Sequence, residues 1–149
     1  MLARLACATT SLVVQRTIGS MKVATPPILL VDDDLDIREA LTDTLEYCGF
    51  QVVSAANGLE ALELLRSMAV RPSVILLDLM MPIMDGYGFL DAQRKDPTLA
   101  AIPVAIITAG HGVDRDRLGD SAPVVAKPIK VPHLIDLLRR LQASSAPTA

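Results

Sequence analysis

Aspartates stand at the ends of two apolar runs of this sequence. Asp32 and Asp33 follow the run 28–31, and Asp78 follows the run 74–77. In an open parallel sheet the carboxyl ends of the strands line one crevice, where such folds bind their ligands. If the two runs form neighbouring strands, the three carboxylates meet there and repel one another unless a cation lies between them. Oxygen ligands of this kind suit Mg²⁺ best.

Two other apolar runs end on residues that complement these carboxylates. Thr108 follows the run 104–107, and Lys127 follows the run 124–126. A carboxylate can attack phosphorus and form an acyl phosphate, and a divalent cation can neutralise the charge on the phosphoryl oxygens. A hydroxyl and an ammonium group would bind the remaining oxygens. Taken alone, each residue is explained as a helix cap, a strand filler or a solvated charge, but four such strand ends together favour phosphoryl chemistry.

The elements that must position these residues alternate between short apolar runs and helical periodicity, as β-α units of a parallel sheet do. The strands are predicted at 28–31, 51–55, 74–77, 104–107 and 124–126. Amphipathic helices are predicted to follow each strand, with Asp34 capping the first and Pro132 in the first turn of the last. The stretch 110–119 has three glycines and predicts only a short, marginal helix. The predicted fold class is α/β, a doubly wound five-stranded parallel sheet with five helices.

The whole-chain composition limits the classes of function. The chain has 149 residues, enough for one domain, and is 51% hydrophobic but only 3% aromatic, which predicts an aliphatic core. A net charge of −3 argues against a nucleic-acid-binding surface. No apolar stretch approaches the ~18 residues of a membrane span, so no membrane partner is predicted. Two cysteines, Cys7 and Cys48, form no disulfide framework, which fits the reducing cytoplasm.

The chain divides into one predicted domain at 27–142 and two predicted tails. Residues 1–25 are interpreted as a disordered tail or an over-extended start ahead of Met21, with a targeting role as the alternative. Residues 143–149 are rich in Ser, Ala and Pro and are predicted to be disordered. Nothing after Gln142 is long enough for a DNA-binding or catalytic module, so a stand-alone domain is expected.

Four stretches of the sequence resemble a known family. They are ILLVDDD at 28–34, ILLDLMMPIMDG at 75–86, IIT at 106–108 followed by a small residue, and AKP at 126–128. In this order and spacing they resemble the receiver domain of bacterial two-component response regulators. The resemblance covers residues 27–142 and implies the flavodoxin-like, receiver-type form of the predicted fold.

The resemblance also implies a metal site. Asp33, Asp78 and the backbone carbonyl of Met80 would ligate Mg²⁺ directly, and Asp32 would contribute through water. Mg²⁺ is the one cofactor that the resemblance implies.

The resemblance assigns the phosphoryl chemistry as well. Asp78 would be the phospho-acceptor, Thr108 and Lys127 would contact the phosphoryl group, and Lys127-Pro128 would be a cis peptide. The donor would be a histidine kinase or a phosphotransfer protein, and the downstream partner would be another protein.

Two features depart from the family pattern. Receivers usually carry Tyr or Phe three residues before the Lys, and here that position is Val124. The interval from Thr108 to Lys127 is also about three residues short. These departures leave the chemistry at Asp78 intact and affect the surface that usually reports phosphorylation.

Three hypotheses follow from the sequence. The first is a single-domain response regulator, a phosphorylation-controlled switch or phosphorelay intermediate with slow self-hydrolysis and no external substrate. The alternative is an interaction module that keeps the fold and works without phosphorylation. An enzyme such as an aspartyl phosphatase is disfavoured, because those generally place a second acid two residues after the nucleophile, where this chain has Met80.

Overall fold

The fold is built on one parallel sheet. The computed structural model describes residues 25–109, 111–120 and 122–145. Its strands are β1 (Ile28–Val31), β2 (Val52–Ala55), β3 (Val74–Asp78), β4 (Val104–Thr108) and β5 (Val124–Ala126). They lie in the order β2-β1-β3-β4-β5, and every neighbouring pair is parallel. The strand order reverses between β1 and β3, and this switch point is where open α/β sheets bind ligands.

Helices follow the strands in strict alternation. They are α1 (Leu35–Tyr47), α2 (Gly58–Ser67), α3 (Gly86–Lys95), α4 (Arg115–Leu118) and α5 (Val131–Ser145). The first four are capped by an Asp or Asn side chain that accepts backbone N–H groups of the first turn, namely Asp34, Asn57, Asp85 and Asp114. These caps end each loop at a defined residue and so fix where each helix leaves the sheet.

The core lies on both faces of the sheet. Successive side chains of a strand point to opposite faces, and in β1 the residues Leu29 and Val31 join one apolar cluster while Ile28 and Leu30 join the other. Strands β1, β3 and β4 are buried along their whole length. Their unbroken apolar sequences follow from this double coverage.

The predicted α/β fold with five parallel strands and five helices is confirmed. Strands β3 and β4 each run one residue further than predicted, so that Asp78 and Thr108 are the last residues of their strands. Helix α4 has four residues, as short as the glycine-rich sequence indicated. Among the described residues, no helix is long and apolar enough to cross a membrane.

The last helix is longer than predicted. It continues past Gln142 to Ser145, because the hydroxyls of Ser144 and Ser145 donate to carbonyls three residues earlier and extend the final turn. The prediction of a disordered tail is therefore wrong for residues 143–145. The rest of that tail, 146–149, and the N-terminal residues 1–24 lie outside the described residues, so the predictions made for them stay predictions.

Candidate functional site

The register of the sheet brings the predicted strand ends to one edge. Val31 at the end of β1 pairs with Leu77 of β3, and Asp78 pairs with Ile107 of β4. On the other side, Thr108 pairs with Ala126 at the end of β5. The residues that follow β1 and β5 therefore flank the last residues of β3 and β4, as the sequence predicted.

Three carboxylates meet at this edge. One carboxylate oxygen from each of Asp32, Asp33 and Asp78 lies within 4.8 Å of the other two. Asp32 is 1% exposed and Asp78 is 7% exposed, whereas Asp33 is open to solvent. Two buried acids with one solvent-facing acid fit a hard divalent cation such as Mg²⁺, which is bound by a few carboxylates and keeps part of its water shell. The contribution predicted for the carbonyl of Met80 stays a prediction.

Lys127 supplies the positive charge that faces these acids. Its Nζ lies 3.3 Å from Oδ2 of Asp32 and 3.8 Å from Oδ2 of Asp78. Its backbone N–H donates to the carbonyl of Thr108 at 2.8 Å, and the bond between Lys127 and Pro128 is cis, as predicted. Thr108 is 3% exposed. The structure thus brings all four strand ends singled out in the sequence to one edge of the sheet.

The site holds Asp78 in an environment that disfavours its ionised form. Burial raises the pKa of Asp78 above its ordinary value, and the negative charge of Asp32 raises it further. Lys127 and a hydrogen bond from the Met80 N–H act in the opposite direction, and Asp33 adds a smaller rise. The Met80 bond is long, at 3.4 Å from N to Oδ1. A cation at the acid cluster would therefore stabilise the ionised carboxylate.

Replacing Asp78 by Asn is expected to raise Tm by a few degrees at neutral pH without added divalent cation. Because the folded-state pKa of Asp78 is raised, its ionisation costs more in the folded protein than in the unfolded chain. Wild-type stability therefore falls as pH rises from the ordinary value of 3.8 through the folded-state pKa. Thermal unfolding across this pH range checks the prediction: the advantage of Asp78→Asn should vanish below 3.8. An advantage of equal size at every pH would contradict it.

Arg38 is a residue near the site that the sequence reading missed. Its Nη1 donates to the backbone carbonyl of Asp32 at 2.7 Å. It reaches this carbonyl from α1, whose start is fixed by Asp34, the residue whose Oδ1 accepts from the N–H groups of Asp36 and Ile37. The sequence signal for this contact was the position of Arg38 one helical turn after the capping residue Asp34, on the side of α1 that faces the end of β1. Arg38 thereby holds the backbone that carries the acid pair.

The loop between β3 and α3 packs tightly against Asp78. The N–H of Gly86 donates to the Leu79 carbonyl at 2.9 Å, and a Cβ atom on Gly86 would lie 2.6 Å from the carbonyl oxygen of Asp78. In the same loop Ile83 has φ +68° and is 80% exposed. A β-branched residue in this left-handed region is strained, and such strain is found where a loop is held for function.

The chain is similar to known proteins. The family model described as the response regulator receiver domain matches residues 28–139. The chain belongs to the response regulator receiver domain family. This receiver domain superposes with a TM-score of 0.73 on the receiver domain of a signal transduction histidine kinase from Syntrophus aciditrophicus, at 31% identity, over 84% of this chain and 96% of that one.

The chain is also similar to two further proteins. The receiver domain superposes with a TM-score of 0.69 on the response regulator TrrA of Thermotoga maritima, solved in complex with Mg²⁺ and BeF, at 28% identity over 78% of this chain and 99% of that one. It is 34% identical over 119 residues to the DNA-binding dual master transcriptional regulator RpaA of Synechocystis, over 78% of this chain and 48% of that protein. The chain spans about a third to a half of the length of the curated relatives compared with it.

Proposed function

We propose that this receiver domain accepts a phosphoryl group on Asp78 in a Mg²⁺-dependent reaction and acts as a phosphorylation-controlled switch in protein interactions or as a phosphorelay intermediate. The observation that carries the proposal is the meeting of three carboxylates with Lys127 at the switch point of the sheet. A structural acid pair would need no third acid, and a solvated lysine would not lie between two buried carboxylates.

The chemical step is an in-line displacement at phosphorus. A carboxylate oxygen of Asp78 attacks the phosphorus of a phosphohistidine, and a new O–P bond forms. The P–N bond breaks, and its electron pair stays on the imidazole nitrogen, which takes up a proton from water. Asp33, Asp78 and the Met80 carbonyl would hold Mg²⁺ directly, with Asp32 contributing through water, and the bound ion would neutralise charge on the phosphoryl oxygens.

Thr108 and Lys127 bind the product. The Lys127 ammonium already lies 3.8 Å from the Asp78 carboxylate, so it is placed to pair with a phosphoryl oxygen on that carboxylate. Thr108 ends β4, the strand that pairs with β3 beside Asp78, so its hydroxyl would bind a second phosphoryl oxygen. Together they offset the negative charge that the transfer adds to an already acidic site.

The partners follow from the reaction. A histidine kinase or a phosphotransfer protein supplies the phosphoryl group, and a downstream protein reads the phosphorylated state. The chain turns over no external substrate, because two residues after Asp78 it carries Met80, which cannot move a proton. Stand-alone action and a cytoplasmic location stay predictions. So does the absence of a nucleic-acid partner, and RpaA is a relative described as DNA-binding.

The proposal predicts an Asp78-dependent gain in mass. Incubation with Mg²⁺ and acetyl phosphate is expected to add one phosphoryl group to the intact protein, measured by mass spectrometry. Asp78→Asn should gain none, because the amide cannot form the acyl phosphate. Asp136→Asn, which makes the same change of charge at an exposed position of α5, should be modified like wild type. A wild-type protein that gains no mass, or an equal gain in all three proteins, would sink the proposal.

The alternative function is an interaction module that works without phosphorylation. Val124 and the four-residue helix α4 favour it, because both alter the surface between Thr108 and Lys127. Once a partner has been identified, equal binding of that partner by phosphorylated wild type and by Asp78→Asn would support the alternative.

A further inference from the structure

Helix α4 depends on its neighbours for its conformation. It has four residues, Arg115–Leu118, and a helix of one turn is not stable in water by itself. Asp114 caps it through one hydrogen bond, from the Arg117 N–H to Oδ1 at 3.2 Å. Leu118 is its one buried residue. Further contacts must therefore hold this turn in place.

Those contacts come from one face of α3. Tyr87, Asp91 and Arg94 are spaced four and three residues apart and so lie on the same side of the helix. The hydroxyl of Tyr87 accepts the Asp114 N–H at 2.8 Å. The guanidinium of Arg117 lies over the Tyr87 ring, 4.6 Å from its centroid, with Nη2 3.4 Å from Oδ2 of Asp91.

Arg94 completes this set at the other end of the turn. Its guanidinium donates to the carbonyls of Arg117 and Leu118, the last residues of α4. Tyr87 thus holds the start of α4 and Arg94 holds its end. None of these hydrogen bonds is fully buried, and the ion pair between Arg117 and Asp91 is half-exposed, so a displacement of the turn can break one of them without unfolding the core.

Tyr87 is also tied to both sides of the phosphorylation site. It directly follows Gly86, which packs against the carbonyl of Asp78 and is hydrogen-bonded to Leu79. Its hydrogen-bond partner, Asp114, belongs to the segment that leaves β4 after Thr108. A rearrangement at either Asp78 or Thr108 therefore acts on the contact between Tyr87 and Asp114.

We propose that Tyr87 is the residue through which α4 senses the phosphorylation state of Asp78. The inference rests on the proposed function of Asp78. When the phosphoryl group engages the Thr108 hydroxyl, the segment after β4 is drawn toward the site and the Asp114 N–H leaves the Tyr87 hydroxyl. Val124 has no ring and no hydrogen-bonding group, so it supplies no comparable contact at the edge strand.

Fluorine NMR of the fluorotyrosine-labelled full chain tests this inference directly. The sequence has two tyrosines, so two signals are expected, and Tyr47→Phe and Tyr87→Phe assign them. Addition of Mg²⁺ and acetyl phosphate should shift the Tyr87 signal and leave that of Tyr47, which is 65% exposed on α1, unchanged. An unmoved Tyr87 signal in a sample whose mass shows full phosphorylation overturns the inference and leaves the proposed function standing. A sample that gains no mass overturns both.

A second measurement shows whether the Tyr87 hydrogen bond favours the unphosphorylated or the phosphorylated state. If the Tyr87 hydroxyl favours the unphosphorylated arrangement, then by linkage its removal favours the phosphorylated one. Tyr87→Phe is therefore expected to bind beryllofluoride with Mg²⁺ about two- to tenfold more tightly than wild type, the range that one neutral hydrogen bond supplies. Tyr47→Phe should bind like wild type. Equal or weaker binding by Tyr87→Phe would show that Tyr87 is only structural.

Discussion

Replacing Gly86 by Ala is expected to destabilise this receiver domain by about 3 kcal/mol, near the upper end for overpacking of a core site. The added Cβ atom would lie 2.6 Å from the Asp78 carbonyl oxygen and 2.8 Å from the Leu79 Cα. Both are backbone atoms of β3 or its end, and they cannot rotate away as a side chain can. Relief requires α3 to move off the strand that carries Asp78, the proposed phospho-acceptor, so phosphorylation of Asp78 should slow as well.

Gly88 provides the matched control on the same helix. A Cβ atom there would meet two side chains, that of Met84 at 3.3 Å and the carboxylate of Asp85 at 3.5 Å, and no backbone atom of a neighbouring element. Gly88→Ala is expected to be neutral or to stabilise by about 0.5–1 kcal/mol, because Ala is the better helix former. Urea unfolding of both variants gives the difference. Equal stabilities would contradict the close approach of α3 to Asp78.

Replacing Asp33 by Asn is expected to weaken Mg²⁺ binding by about tenfold or more, the scale on which a lost metal contact acts. Asp33 is the solvent-facing member of the acid cluster, so its replacement removes a proposed ligand without burying a new polar group. Binding to the folded state raises stability with cation concentration. Tm measured against Mg²⁺ concentration should therefore rise for wild type and much less for Asp33→Asn.

The neighbouring residue separates ligation from general charge. Asp34→Asn makes the same change of charge one residue away, and its side chain keeps the carbonyl oxygen that caps α1. Its Mg²⁺ dependence of Tm should stay close to that of wild type. Equal losses in the two variants would mean that the cation responds to the overall negative potential and that Asp33 is not a ligand.

The sequence predicted both the sheet and the acid cluster, and the physical reason is the same for the two. Strands covered on both faces must be apolar throughout, so 28–31, 74–77 and 104–107 stood out, and the first polar residue after each marked the carboxyl edge. Because parallel strands place those ends side by side, Asp32 and Asp78 were predicted to meet before any distance was known. Lys127 was predicted to join them because it follows the apolar run 124–126, which also ends at this edge of the sheet.

The contacts around α4 could not be predicted in this way. The hydrogen bond between Tyr87 and Asp114 joins residues far apart in the chain, and the local sequence around neither residue predicts it. The Arg94 contacts with the end of α4 span a similar interval. Contacts of this kind depend on how α3 packs beside α4, and the periodicity of apolar residues in the sequence does not encode that packing. The two serines that extend α5 were likewise read as a tail, because Ser favours turns as much as helix ends.

The proposed chemistry and its proposed readout lie on different parts of the chain, and this separation affects how the sequence can change in evolution. Asp32, Asp78 and Thr108 are buried, and they lie on or directly after strands that are buried along their whole length, so most substitutions there disturb the core as well as the site. The surface proposed to report phosphorylation lies mainly in one segment, between Thr108 and Lys127. We expect substitutions and deletions in that segment to change partner recognition and to leave the acid cluster as it is. Duplicated copies of such a domain can therefore acquire separate partners and keep one reaction.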